Sequence, residues 1–298
     1  MSARVVAFVN FKGGVGKTSN VVNLAAAIAA FHGKRVLVVD LDAQCSSSLW
    51  LMRKAEWREH TEDPARTTVQ VFLDGIQGTD RFDPAEAIVR GVPRGESGFS
   101  MLENLDLLPA SLDLLQVEER LSPKSKEPYF RFLSNSLKPL RDEYDYIFLD
   151  CPPSFHSVTK NALFFARDIV IPYIPDFLSL SGFQMFAGLI HDFGEQVAAY
   201  KVGRLKSGVA AVVVNRYQKT GNVYDEGIGQ LQMLLAHLKA EGRVREEAVV
   251  LDPPIRNCVR VAESPDRHLP VVLHAPMSIG SEDYFALSGA MIEHLSTL

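Results

Sequence analysis

Cysteine is scarce in this sequence. Cys45, Cys151 and Cys258 are scattered over 298 positions with no CxxC pair, which excludes a disulfide framework and a zinc site of ordinary spacing. No run of about 18 apolar residues occurs, so no segment reads as a membrane span. A positive excess is missing too: 31 Lys and Arg against 36 Asp and Glu leave a net charge of −5. That balance excludes a wholesale basic coat for nucleic acid, but not a local basic patch. Repeats and low-complexity tracts are absent. With 47% hydrophobic and 22% charged residues, the chain is neither disordered, collagen-like nor a coiled coil. Its start, Met1-Ser2-Ala3-Arg4, runs straight into an apolar stretch with no cleavage-type site, and the chain reads as cytoplasmic.

What is present is alternation. Short runs rich in β-branched residues occur at Val5–Val9, Val36–Val39, Leu105–Leu108, Tyr146–Leu149, Ile169–Ile174 and Val209–Val214. Several are apolar without a polar face, as parallel strands buried on both sides require. Helix-period stretches lie between them, such as Ser19–Phe31, closed by Gly33 as a C-terminal cap. The pattern predicts an α/β fold: a doubly wound, mostly parallel sheet with helices on both faces. We expect one domain over 1–298, with a less regular elaboration at about 53–100 that carries Pro64, Pro84 and Pro93. That region reads as helices and loops on the sheet edge, and nothing in its residues proves the sharper reading, a partner-binding insertion. Ser122–Pro128 reads as a surface loop. The glycine-rich turn begins at residue 13, which leaves no room before it for a separate DNA-reading domain, and the sheet pattern continues almost to the end.

Phe11-Lys12-Gly13-Gly14-Val15-Gly16-Lys17-Thr18 follows a strand and opens a helix. Glycines let successive backbone N–H groups converge on a phosphate, and the helix N-terminus favours negative charge. Lys17 can reach the β- and γ-phosphates, and the Thr18 hydroxyl can ligate magnesium. The strict GxxxxGK[ST] pattern fails once, because Phe11 occupies the first glycine position, and a second lysine, Lys12, stands early in the loop.

Two acid-ended strands accompany this loop. Val36-Leu37-Val38-Val39-Asp40-Leu41-Asp42-Ala43-Gln44 closes on Asp40 and Asp42, and Tyr146-Ile147-Phe148-Leu149-Asp150 runs into Cys151-Pro152-Pro153-Ser154. Ligands bind at the carboxyl edge of open α/β sheets, where these acids fall. By themselves the paired acids at Asp40 and Asp42 read equally as solvated caps. Asp150 ends a Walker-B pattern, and its carboxylate is placed to hold magnesium directly or through water. Cys151 beside it is read as a small buried residue, since neither other cysteine has a spacing to match.

Taken together, the motifs resemble the ParA/MinD family of deviant Walker-A P-loop ATPases, most closely the ParA-type partition ATPases. The resemblance covers nearly the whole chain and is weakest over 53–100. It implies ATP and Mg2+ as cofactors and a nucleotide site made by Gly13, Gly14, Val15, Gly16, Lys17, Thr18 and Ser19. It implies that Lys12 is a signature lysine which crosses a dimer interface to the partner's nucleotide. The family's DxDxQ motif matches Asp40, Asp42 and Gln44, with Ala43 where proline is common. By that match Asp42 orients the attacking water and Asp40 supports the magnesium shell, alongside Thr18 and Asp150. Val212-Val213-Val214-Asn215-Arg216 matches a strand end whose Asn contacts adenine, with Arg216 facing either nucleotide or DNA. Arg256-Asn257 through Ala262-Glu263-Ser264-Pro265 resembles the terminal motif.

Members of this family differ in what the ATP-bound homodimer holds. A MinD-like member would act on protein partners at a membrane through a basic C-terminal helix. Here the stretch Ser281–Leu298 contains no Lys or Arg, so no membrane partner is expected and a helix packed on the sheet is the better reading. Gln196–Tyr224, by contrast, holds no Asp or Glu while Lys201, Arg204, Lys206, Arg216 and Lys219 fall within it. With Arg256 and Arg260 these make candidate contacts to non-specific DNA, although each also reads as an ordinary solvated charge. The resemblance then implies a nucleoid-associated ATPase that segregates or positions a cargo, with a cargo-bound adaptor protein stimulating hydrolysis. The MinD-like spatial regulator is the alternative.

Overall fold

The structure, a computed structural model, describes residues 2–121, 128–201, 205–218 and 223–298. Seven parallel strands form one sheet: β1 (Arg4–Phe8), β2 (Val36–Asp40), β3 (Leu105–Leu108), β4 (Tyr146–Asp150), β5 (Asp168–Tyr173), β6 (Gly208–Val214) and β7 (Val249–Leu251). Their spatial order is β3-β2-β4-β1-β5-β6-β7. The chain leaves β1 toward one side and later returns to build the other, so the strand order reverses at the centre. Such a reversal opens a crevice above the carboxyl ends of the strands.

Helices follow nearly every strand. In chain order they are α1 (Lys17–His32), α2 (Ser46–Leu51), α3 (Lys54–Thr61), α4 (Thr68–Gln77), α5 (Pro84–Ala87), α6 (Leu114–Arg120), α7 (Phe132–Leu137), α8 (Ser157–Phe165), α9 (Phe177–Ala199), α10 (Val223–Ala240), α11 (Val259–Glu263), α12 (Val271–His274) and α13 (Ile279–Thr297). α1 ends at Gly33, whose φ of 62° places it in the left-handed region that a C-terminal cap needs. Strand alternation divides the core in two. Val5 and Ala7 of β1 face a layer containing Phe130, Phe165, Phe193 and Leu235, while Val6 and Phe8 face Leu24, Ile28, Tyr284 and Leu287 on the opposite side. Both faces of every central strand are therefore buried, which accounts for their unbroken apolar composition.

The segment between β2 and β3 builds α3, α4 and α5. Val69, Val71 and Phe72 of α4 enter the core, whereas α3 buries nothing completely. Val89 pairs antiparallel with Leu107, covering the open edge of β3. α13 lies against α1, and its polar stretch is explained by burial as well as exposure: Asp283 and Tyr284 both point inward. Among the described residues, no helix is long and apolar enough to cross a membrane. The expected loop at 122–127 lies outside the described residues.

Candidate nucleotide site

The loop between β1 and α1 rises from the middle of the sheet. Gly14 and Gly16 adopt φ of 74° and 94°, values that side chains rarely tolerate. A Cβ on Gly16 would stand 3.1 Å from the Asn215 side chain, so the loop packs directly on the end of β6. α1 begins without a side-chain cap or an acid in its first turn. Its first N–H groups, which have no intrahelical partner, and its dipole therefore both face the loop.

Lys17 is only 8% exposed, with Nζ 3.5 Å from the Lys12 carbonyl. Burial lowers its pKa, opposed by Asp150 and Asp42. Asp150 is paired in register with Asp40 of β2 and Phe8 of β1, which brings the two acid-ended strands together beneath the loop. Its Oδ2 accepts from Thr18 Oγ1 at 2.8 Å and Ser47 Oγ at 2.6 Å. Its Oδ1 is buried and without a partner. Burial, with repulsion from Asp42 also contributing, raises the Asp150 pKa against the hydrogen bonds from Ser47 and Thr18. A buried carboxylate oxygen without a donor, next to a hydroxyl, suits a divalent cation.

Asp40, the residue expected to support the magnesium shell, closes β2. It is fully buried, its Oδ1 accepts from the Asp42 N–H, and its Oδ2 accepts from Ser48 N–H and Oγ. Both oxygens are thus engaged in shaping the loop after β2, and burial next to Asp150 pushes its pKa up. Its hydrogen bond from the Asp42 N–H ties the two acids together. Asp42 is partly exposed beside Lys17, and it accepts from Gln44 N–H at 2.9 Å.

Lys12 does not point toward its own nucleotide loop. Its Nζ donates to Asp176 Oδ2 at 2.5 Å and to Ser179 Oγ at 3.2 Å. Asp176 is the N-cap of α9, accepting from Ser179 N–H at 2.8 Å. Neither residue was singled out in the sequence. The Asp-x-x-Ser spacing signals a helix start, but nothing local in it signals a lysine 164 positions earlier.

Beside the loop lies a cavity of about 240 Å³. Gly16, Ser19, Asn215, Arg216, Trp50 and Cys258 are among its walls. Its walls thus join the phosphate loop, the end of β6 and the segment after β7. Arg256 also lines it, but its guanidinium is bound to Asp283 at 2.6 Å and Glu282 at 2.7 Å.

The expected DNA-facing cations do not share one surface. Lys201 follows α9 and Lys206 precedes β6, so both sit at the amino edge of the sheet and are exposed. Arg256 and Arg260 follow β7 at the carboxyl edge, and Arg260 pairs with Glu263 at 2.9 Å. Arg204 and Lys219 lie outside the described residues.

A polyanion accompanied by a cation answers the loop's donors and the unpartnered carboxylate oxygen alike, which is the ligand of the P-loop nucleotide-binding proteins. Comparison with known proteins agrees. A family model described as an AAA domain matches residues 3–201. Sporulation initiation inhibitor protein Soj of Bacillus subtilis is 30% identical over 293 residues, covering 96% of each chain. Chromosome partitioning protein ParA of Caulobacter vibrioides is 30% identical, covering 97% of this chain and 94% of its own. Among solved structures, cobyrinic acid a,c-diamide synthase from Mycobacterium smegmatis with bound ADP and magnesium superimposes with a TM-score of 0.68 at 25% identity, covering 99% and 96%. The chain belongs to the ParA/MinD family of P-loop ATPases.

Proposed function

We propose that this chain is a ParA-type ATPase that works as a single domain in the cytoplasm, on the nucleoid. ATP joins two copies into a dimer, the dimer binds DNA without sequence preference, and a cargo-bound adaptor stimulates hydrolysis. The cargo is a plasmid, a chromosome origin or a protein assembly. The observation that carries the nucleotide chemistry is the unpartnered Asp150 Oδ1 beside Thr18, beneath a glycine loop with a buried lysine. Cofactors follow from that fit, and from the ADP and magnesium bound by the synthase of like fold.

The residues divide the work. Lys17 and the N–H groups of Gly13–Ser19 bind the phosphates, and Asn215 and Arg216 border the base. Thr18 and Asp150 hold Mg2+, with Asp40 supporting that shell, and the ion supplies charge neutralisation to the phosphates when bound. Asp42 orients the attacking water, since phosphoryl transfer demands mainly positioning. Lys12 leaves Asp176 to reach the nucleotide of a second copy. DNA contact is assigned to Lys201 and Lys206, with Arg204, Lys219, Arg256 and Arg260 as further candidates.

The test is binding of the protein to arbitrary-sequence duplex DNA with ATP, with ADP and with no nucleotide. Binding restricted to ATP, with a salt slope that flattens when Lys201 and Lys206 are reversed to Glu, is expected. Intact ATP hydrolysis without DNA binding in any state overturns the partition reading in favour of a MinD-like regulator of protein partners.

A further inference from the structure

The peptide after Asp150 joins the end of β4 to the start of α8. It runs through Cys151, two prolines, Ser154, Phe155 and His156 into α8. At one end β4 anchors it. At the other end α8 has no cap of its own, because the N-cap residue His156 makes no capping hydrogen bond and the first turn contains no acid. An uncapped helix start normally leaves its N–H groups to water.

Here another helix supplies the acceptor. Glu118 of α6 takes the Ser157 N–H on Oε1 at 2.5 Å and the Val158 N–H on Oε2 at 3.1 Å. The Ser157 hydroxyl adds a bond to the Leu121 carbonyl at 3.2 Å. α6 itself is fixed in the core by Leu114 and Val117. Within the first turn of α8, the Thr159 hydroxyl donates to the Ser154 carbonyl at 2.7 Å. Phe155 then stacks edge-on against Phe11 at 6.0 Å and against Phe186 of α9 at 5.8 Å, and Phe11 meets Phe186 at 4.9 Å. Phe11 is the residue that replaces a glycine at the head of the phosphate loop, and Phe186 belongs to the helix whose cap holds Lys12.

We propose that Glu118 is a positioning residue for hydrolysis: by capping α8 from outside, it fixes the segment after Asp150 and, through Phe155 and Phe11, aligns that segment with the phosphate loop. The inference rests on the ATPase reading above. A carboxylate at a helix N-terminus is held by both hydrogen bonding and the dipole, so this tie is stiff although it joins separate helices. Glu118 neither lines the cavity beside the loop nor bonds to Asp150. Its loss therefore disturbs alignment more than binding.

The experiment compares wild type, Glu118→Gln, Glu118→Ala and the double variant Glu118→Ala/His156→Ser. ATP affinity is read by calorimetry, kcat by phosphate release and folding by thermal melting. We expect Glu118→Ala to lower kcat about tenfold or more, and Glu118→Gln about threefold to fivefold, with Kd for ATP within about threefold of wild type. His156→Ser gives α8 an internal cap. It is expected to recover the melting temperature but not kcat, because the tie to α6 stays broken. Recovery of kcat together with melting temperature would reduce Glu118 to a plain cap and overturn the inference. So would kcat within about twofold of wild type in both single variants. Should Glu118→Ala not fold, Glu118→Gln alone decides by the same measure. A wild-type protein that neither binds nor hydrolyses ATP defeats the ATPase reading itself, an outcome distinct from either of these.

Discussion

Lys12 and Asp176 form an ion pair at 2.5 Å across a sequence separation of 164 residues. The lysine that the family resemblance assigns to a second nucleotide is thus engaged within its own chain. Both side chains are more than one-third exposed. Burial alone would raise the Asp176 pKa, but hydrogen bonds from Lys12 and Ser179 outweigh it and hold the carboxyl below its usual value. Exposed pairs of this kind contribute about 0–1 kcal/mol, so release is cheap.

Asp176→Asn should therefore favour the dimer. We expect the ATP concentration needed for half-maximal dimerisation to fall about twofold to fivefold, read by light scattering. Lys12→Ala should abolish the ATP-dependent rise in mass. A mass that still doubles with ATP in Lys12→Ala would remove the lysine from the interface.

Lys17→Ala removes the buried ammonium at the loop. Calorimetry should show ATP affinity reduced about a hundredfold or more, since a charge-assisted contact in a dry site is lost. Unchanged affinity would place the phosphates elsewhere.

Asp150→Asn tests the metal and a pH dependence together. The folded pKa of Asp150 is raised, so its contribution to stability is present below the unfolded carboxylate value near about 4 and is lost as pH rises through the folded value. Without magnesium, the wild-type melting temperature should decline across that window, whereas Asp150→Asn should show a flatter profile. Added Mg2+ with ATP should stabilise wild type well beyond ATP alone and leave the variant nearly unmoved. Equal magnesium responses would take the cation away from Asp150.

Cys258 is the partly exposed thiol and lines the cavity, while Cys45 and Cys151 are buried. Burial and Asp150 push the Cys151 thiol well up, which further suppresses its thiolate. Iodoacetamide should modify one cysteine in the folded protein, identified by peptide mass, and ATP should slow that reaction about tenfold. Labelling at an undiminished rate would put the base outside this cavity.

Local pattern carried the sheet and the phosphate loop. A buried parallel strand declares itself by continuous apolar residues, and the loop by its glycines, two of which sit at positive φ that side chains rarely adopt. β7 escaped because Val249–Leu251 is three residues long and follows Glu246 and Glu247, too little for any period to show. Charges were visible but not their partners. Arg256 shows its charge in the sequence, but not that Asp283, 27 residues later, pairs with it. Asp40 and Asp42 looked alike at a strand end, and only the position of Ser48 separates the one that shapes the loop from the one that faces the lysine. Asp176 and Ser179 were invisible for the same reason, since both hold a lysine from an element distant in the chain.

α9 starts at the residue that holds Lys12 and stops next to Lys201, at the other edge of the sheet. Its 23 residues make a rod of about 35 Å at roughly 1.5 Å per residue. Pivoting such a rod by about 5° swings its far end through about 3 Å, roughly the length of a hydrogen bond. Mechanical leverage of that size comes with the length of one helix and requires no rearrangement of the sheet between its two ends.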